Sequence, residues 1–265
     1  MEARREELVV GGTRLEAAWH GPTGEAAPTL VLLHEGLGSV STWRDWPARL
    51  ARETACGVLV YSRAGYGRSD STPVPRPLDY MEREGRDVLP EVLDAAGVRR
   101  ALLVGHSDGG SIAIVHAATE EAKGSERRVR GLVLLAPHVV CEDVSVRAIE
   151  AARGEYERGD LRARLERHHG ANVDVAFWGW NRAWLDPGFR AFDLMRYLPG
   201  VRVPTAVLQG ERDPYGTVRQ VELIAAGCGG PVTVTMLPEV GHAPQRERED
   251  ETTAAVVELA RRVFA

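Results

Sequence analysis

Lysine is almost missing from this chain. Of 33 basic residues only Lys123 is lysine, and the arginines that replace it are scattered. With 38 acidic residues the net charge is −5, which excludes a polyanion binder recruited by its own field, so no nucleic-acid partner is expected. Cysteine is scarce as well. Cys56, Cys141 and Cys228 are odd in number, far apart and free of any CxxC spacing, so neither a disulfide framework nor a thiolate metal site is expected. No apolar run exceeds strand length, which argues against a membrane span. The opening MEARREELVV has charge where a secretory leader would have an apolar stretch, so the expected location is cytoplasmic.

What is present fits a globular α/β chain. At 265 residues it suits one α/β domain with an insertion, or two smaller domains, and folding would remove about three quarters of the unfolded chain's surface. Short β-branched runs alternate with longer helical patterns, the rhythm of a parallel sheet with helices on both faces. The expected strands are Leu8–Val10, Arg14–Trp19, Thr29–His34, Val58–Tyr61, Ala101–Val104, Leu132–Ala136, Thr205–Gln209 and Val232–Met236. The middle ones are continuous apolar runs, as strands covered on both sides require. Helices are expected near Trp43–Glu53, Asp79–Ala96, Ser107–Thr119, Thr217–Ala226 and Glu249–Phe264.

One interval breaks the rhythm. From Pro137 to about Gly200 no strand is legible and arginine-rich helical patterns take over, dividing the chain into a core of 1–136 and 201–265 and an insertion of 137–200. This stretch holds Tyr156, Phe177, Trp178, Trp180, Trp184, Phe189, Phe192 and Tyr197, half of all the aromatics. Each could either build the insertion's own core or line an apolar pocket. Trp178, Trp180 and Trp184 are the candidates for the pocket. The pair His168-His169 lacks a third ligand at metal spacing, and with Arg162, Arg164 and Arg167 it reads as a solvated helix face.

The chemistry concentrates in ALLVGHSDGG, where Gly105-His106-Ser107-Asp108-Gly109 follows a buried strand and precedes a helix. A serine on so sharp a turn takes a strained backbone, and the glycines let strand and helix approach. Taken alone, the pentapeptide also reads as a glycine-rich turn with Ser107 as N-cap. A serine hydroxyl needs a base, itself oriented by an acid. Asp213 lies just past the strand Thr205–Gln209, and His242 lies in the loop after Val232–Met236. Ligand and catalytic groups collect at the carboxyl ends of strands in such sheets, and all three residues fall on that edge. His138, directly after a strand end, is a further pocket candidate.

Five ordered segments resemble an α/β-hydrolase along nearly the whole chain. His34-Glu35-Gly36-Leu37-Gly38-Ser39 resembles the family's oxyanion loop after the third strand. Ser62 to Asp70 resembles its R-G-x-G-x-S segment. GHSDGG matches the nucleophile elbow, Gly210–Asp213 the acid loop and Gly241-His242 the histidine loop. The resemblance implies a mostly parallel eight-stranded sheet with a helical cap inserted after strand 6.

It further implies Ser107 as nucleophile, His242 as base and Asp213 as the residue orienting it, with the backbone N–H of Asp108 as one oxyanion donor. Glu35 stands where glycine is common, which moves Gly36 onto the second donor position and makes Leu37 the fallback and a pocket candidate. Glu35 itself reads either as a pocket carboxylate or as the partner of an arginine such as Arg63, and the partnered role is preferred because an acid beside an oxyanion hole would resist ionisation. His34 is expected to organise the loop, and His106 to point away from the serine.

The reaction implied is cofactor-free, metal-free hydrolysis of small to medium carboxylic esters with an apolar or aryl part. A serine nucleophile counts against the dehalogenase and epoxide hydrolase branches. The alternatives are carbon–carbon cleavage of ring-fission diketones, or a small-molecule receptor with vestigial catalysis. The partner is a small molecule, and the chain is a monomer or a homodimer.

Overall fold

A computed structural model describes residues 3–23, 27–122 and 127–265. Eight strands form one sheet: β1 (Arg4–Val10), β2 (Thr13–His20), β3 (Thr29–Leu33), β4 (Gly57–Tyr61), β5 (Ala101–His106), β6 (Val129–Leu135), β7 (Thr205–Gly210) and β8 (Val232–Leu237). Their order is β1-β2-β4-β3-β5-β6-β7-β8. β1 pairs antiparallel with β2, and β2 with β4, while every later pairing is parallel. The helices are α1 (Trp46–Thr54), α2 (Tyr80–Arg83), α3 (Leu89–Ala95), α4 (Asp108–Ala122), α5 (Asp143–Arg158), α6 (Leu161–His169), α7 (Val173–Leu185), α8 (Val218–Gly227), α9 (Pro244–Glu247) and α10 (Glu249–Phe264). No helix among the described residues is long and apolar enough to cross a membrane.

The strand period of two splits the core between the two faces of the sheet. Val31, Leu33, Leu59, Tyr61, Leu103 and Leu134 join one apolar cluster with α3, α4 and the insertion. Leu30, Leu32, Val58, Val60, Leu102 and Val133 join another with α1 and α10. Strands β3, β4 and β5 are buried along their whole length, as their unbroken apolar sequences require.

Among the boundaries that differ from the sequence expectation, three have a clear local reason. β1 begins at Arg4 rather than Leu8, because an edge strand is made by its ladder (Arg4 opposite Trp19) and its outer half stays polar and exposed. The segment Trp43–Glu53 is a 3₁₀ turn at Val40–Trp43 and then α1, broken at Arg44 with φ 54°. The stretch Asp79–Ala96 is interrupted by a π turn over Glu84–Val88, next to Pro90, which has no N–H for the helical ladder.

The insertion between β6 and β7 contains α5, α6 and α7. Phe177 stacks on Tyr156 at 3.6 Å, and Phe189 on Phe192 at 4.9 Å, so these rings build its interior. Polar ties fix it over the sheet edge. Asn172 donates to the carbonyl of Ser69 at 2.7 Å, and Tyr197 donates to Glu82 at 2.6 Å. His169 corrects the expected solvated face: it is buried, accepts from the Gly67 N–H at 3.0 Å and donates to the Leu37 carbonyl at 3.0 Å. The arginines around it do face solvent, but His169 sits on the one side of α6 that meets two core loops. His168 instead meets the hydroxyl of Ser41 at 2.8 Å.

Candidate active site

Ser107 joins β5 to α4 with φ 52°, a left-handed conformation that side chains rarely adopt. The turn has no slack. A Cβ on Gly105 would stand 2.3 Å from the Gly109 carbonyl oxygen, and one on Gly109 would stand 2.0 Å from that of Leu33. Because α4 starts at Asp108, the Asp108 N–H is among the first-turn donors that lack a helical acceptor. The positive end of the α4 dipole lies at the same place.

The other loops converge on this turn. His242 Nδ1 and Asp213 Oδ2 are 2.7 Å apart. Asp213 is held in turn by the Gln209 amide at 2.8 Å and by the Tyr215 N–H at 2.8 Å. Burial acts to raise the Asp213 carboxyl, but hydrogen bonding and charge from His242, then the Tyr215 N–H, outweigh it and hold it below its ordinary value. His106 Nε2 donates to the His242 carbonyl at 2.6 Å, which makes His106 a strut for the histidine loop.

Arg63, fully buried, supports the loop after β3 by donating to the carbonyls of His34 at 2.7 Å and Glu35 at 3.1 Å. His34 also meets the Glu35 carbonyl through Nδ1 at 2.7 Å, so it does organise this loop. The Asp108 side chain turns inward to the Tyr80 hydroxyl at 2.5 Å, and Tyr80 accepts from the Trp184 indole N–H at 3.0 Å.

One cavity, with about 440 Å³ of atom-free space and open to solvent, collects these groups. Ser107 and His242 line it together with Gly36, Leu37, His138, Trp180 and Trp184. Trp178 lies elsewhere, half-buried between the guanidiniums of Arg182 and Arg153 at 5.1 and 5.9 Å from its ring. Sequence reasoning missed Ser145 and Ile149, one helical turn apart on α5, and Tyr215 just beyond the acid. The motif GERDPYG held the only signal for Tyr215, and nothing local marks the other two.

Besides His242 and the Tyr215 phenol, two titratable groups face the cavity. His138 is driven down to about 3 by burial and then by the charge of His242, so it stays neutral. Glu35 lines the cavity and pairs with an arginine other than Arg63. Arg63 takes the Glu35 main chain, while the carboxylate has His106 Nδ1 at 3.4 Å and the Arg246 guanidinium at 3.8 Å. Burial acts to raise it, yet hydrogen bonding and charge from His106, then Arg246 and His34, prevail. The group is held well below the usual carboxylate range rather than resisting ionisation.

Residues 30–256 match the alpha/beta hydrolase family. The chain belongs to it. The chain is 34% identical over 104 residues, 38% of its own length and 28% of the relative's, to epoxide hydrolase B of Mycobacterium tuberculosis, and so spans under a third of that relative. It is 26% identical over 216 residues, 78% of the chain and 70% of the relative, to serine hydrolase BPHL of Homo sapiens. The enol-lactonase from Burkholderia xenovorans LB400 superimposes with a TM-score of 0.73 at 23% identity, covering 96% of this hydrolase and 99% of that chain, a likeness of fold.

Proposed function

We propose that this hydrolase cleaves small to medium carboxylic esters through an acyl-enzyme on Ser107. The observation that carries the reading is the 2.7 Å contact of His242 with a buried Asp213, with that same imidazole lining one cavity with a serine held at φ 52°. Ser107 Oγ attacks the acyl carbon as its proton passes to His242 Nε2. Asp213 keeps the other ring proton on Nδ1 and stabilises the imidazolium. The N–H groups of Asp108 and Gly36 receive the negative charge of the tetrahedral intermediate. His242 returns the proton to the departing alkoxide. Water then adds to the acyl-enzyme, giving its proton to His242, and the acid leaves as Ser107 regains its hydrogen. Each step moves only protons and acyl groups, so it needs no cofactor.

The insertion 137–200 acts as a cap, its residues Ile149, Trp180 and Trp184 closing the apolar side of the cavity. A serine rather than an aspartate at the elbow separates this reading from epoxide hydrolysis. The ionised Glu35 in the wall weighs against the anionic dienoates of ring-fission chemistry.

The test is labelling by a fluorophosphonate and turnover of a p-nitrophenyl ester series, on wild type and Ser107→Ala. Both are expected in the wild type, with kcat lower by about 10⁴-fold or more in the variant. Labelling without ester turnover, joined to turnover of a ring-fission dienoate, would replace ester cleavage by carbon–carbon cleavage. A wild type that neither labels nor turns over would remove the enzymatic reading.

A further inference from the structure

A carboxylate is an unusual group to hang from the loop that supplies an oxyanion donor. Its loop is held by the main chain, since the Glu35 carbonyl accepts from Arg63 at 3.1 Å and from the Gly38 N–H at 3.1 Å. Glu35 lines the cavity shared with Ser107 and His242.

Its charged partners stand at the long end of contact distance. A carboxylate offers about four acceptor sites, and charge-assisted hydrogen bonds to it normally close to about 2.7–2.9 Å. Here the nearest cationic or titratable groups are His106 at 3.4 Å and Arg246 at 3.8 Å. The His106 nitrogen is shared with the Gln245 amide, which approaches it to 3.0 Å. Arg246 is 41% exposed and spends a guanidinium N–H on the Thr42 carbonyl at 3.0 Å, so solvent screens its pull. Across the cavity stand Leu37, Ile149, Trp180 and Trp184, which offer no charge. The Trp184 N–H is committed to Tyr80, which leaves the ring to face the ligand. A wall of one ionised carboxylate and two indole rings has the composition of a cation site.

We propose that this pocket selects substrates that carry a positive charge close to the scissile acyl group, with Glu35 as the recognising residue and the rings of Trp180 and Trp184 as the apolar walls around the cation. The proposal rests on the ester-hydrolase reading for its substrates and on the cavity alone for its ligand class. A primary ammonium donates to Glu35 oxygens that His106 and Arg246 approach only to 3.4 and 3.8 Å. A carboxylate in the same place meets like charge and is disfavoured.

The test uses isosteric esters on the intact protein. In one series the charge sits on the acyl side: ethyl 3-aminopropanoate, ethyl butanoate and monoethyl succinate. In the other it sits on the alcohol side: butyrylcholine against 3,3-dimethylbutyl butyrate. The wild type is expected to favour the cation over its neutral isostere by about 10- to 100-fold in kcat/KM in at least one series, and the neutral ester over the anion. In Glu35→Gln the cation preference should fall to within about 3-fold. The ratio is read within each protein, so a general loss of activity in the variant cancels.

Equal turnover of cation and neutral isostere by the wild type would overturn the proposal, as would a preference that survives Glu35→Gln. Should no ester be cleaved, the ester reading fails separately, and binding decides. Ser107→Ala is then titrated with propylammonium and with 1-propanol while the tryptophan fluorescence is followed. Saturable quenching by the ammonium alone, lost in Ser107→Ala/Glu35→Gln, supports the cation site, and no quenching or an equal response to both refutes it.

Discussion

The sheet edge and the helical insertion build opposite walls of one cavity under different rules. At the edge, short motifs fix positions through backbone geometry: the Ser107 turn at φ 52°, Gly109 against the Leu33 carbonyl, His242 on Asp213. In the insertion, positions follow from how aromatic side chains share space. Trp178, Trp180 and Trp184 lie within two turns of one helix, yet the first is wedged between arginines and the other two face the cavity. A site whose reacting groups are set by backbone and whose selecting groups are set by packing can change what it accepts without disturbing the chemistry.

The same small substitution should break the two regions unequally. In Gly109→Ala the new methyl would stand 2.0 Å from the Leu33 carbonyl oxygen and 2.9 Å from that of His34, both backbone atoms that cannot step aside. Loss of soluble folded protein, or more than about 4 kcal/mol of stability, is expected. Gly170 in the insertion also has positive φ, 53°, but nothing lies within 4 Å of its Cβ position. At φ 53° and ψ −126° Gly170→Ala should cost about 1–3 kcal/mol of backbone strain and no steric clash. Urea unfolding compares them, and equal losses would refute the contrast.

The difference also explains what could be read from residues alone. Strand positions and the triad candidates were legible because each follows from a local rule: an unbroken apolar run, a glycine-flanked serine, an acid and a histidine just past strand ends. His169 was not, because the arginine pattern around it describes the exposed side of α6, while its burial depends on Gly67 and Leu37 in distant loops. The partner of Glu35 was hidden for the same reason, since His106 and Arg246 arrive from separate segments. Ser145 and Ile149 carry no mark other than helical spacing.

Buried histidines extend the comparison to acid. His138, where β6 enters the insertion, is held down to about 3, and His34 at the sheet edge is also well below its ordinary value, both first through burial. A histidine whose folded value is depressed binds protons more readily when unfolded. Stability is thus complete above the unfolded value, about 6.5, and falls as pH drops from there toward the folded value. Asp213 is depressed too, but its contribution is present above the carboxylate range and lost only below about 4. Between pH 6.5 and 4.5 the histidines therefore dominate this loss. Denaturant unfolding of His138→Leu should show a slope flatter than wild type by up to about 1.4 kcal/mol per pH unit in that window. An unchanged slope would mean that His138 is not buried neutral.

The smallest effect separates two neighbours on α7. Trp180 lines the cavity and lies so close to Gly36 that a Cβ there would be 2.3 Å from the indole, whereas Trp178 contacts Arg153, Arg182, Tyr156 and Phe177 outside it. Trp180→Ala opens the pocket beside Gly36. For p-nitrophenyl acetate kcat/KM should fall by about 10-fold, while longer acyl chains lose less because they occupy the vacated volume. Trp178→Ala removes an exposed cation–π stack, worth about 0.5–1 kcal/mol of stability, and should leave the chain-length profile parallel to wild type. The profile, rather than any single rate, is the decisive readout, because a global loss lowers all chain lengths together. If Trp178→Ala tilted the profile as Trp180→Ala does, the insertion would move as a unit over the cavity, and the assignment of its aromatics by individual packing would fail.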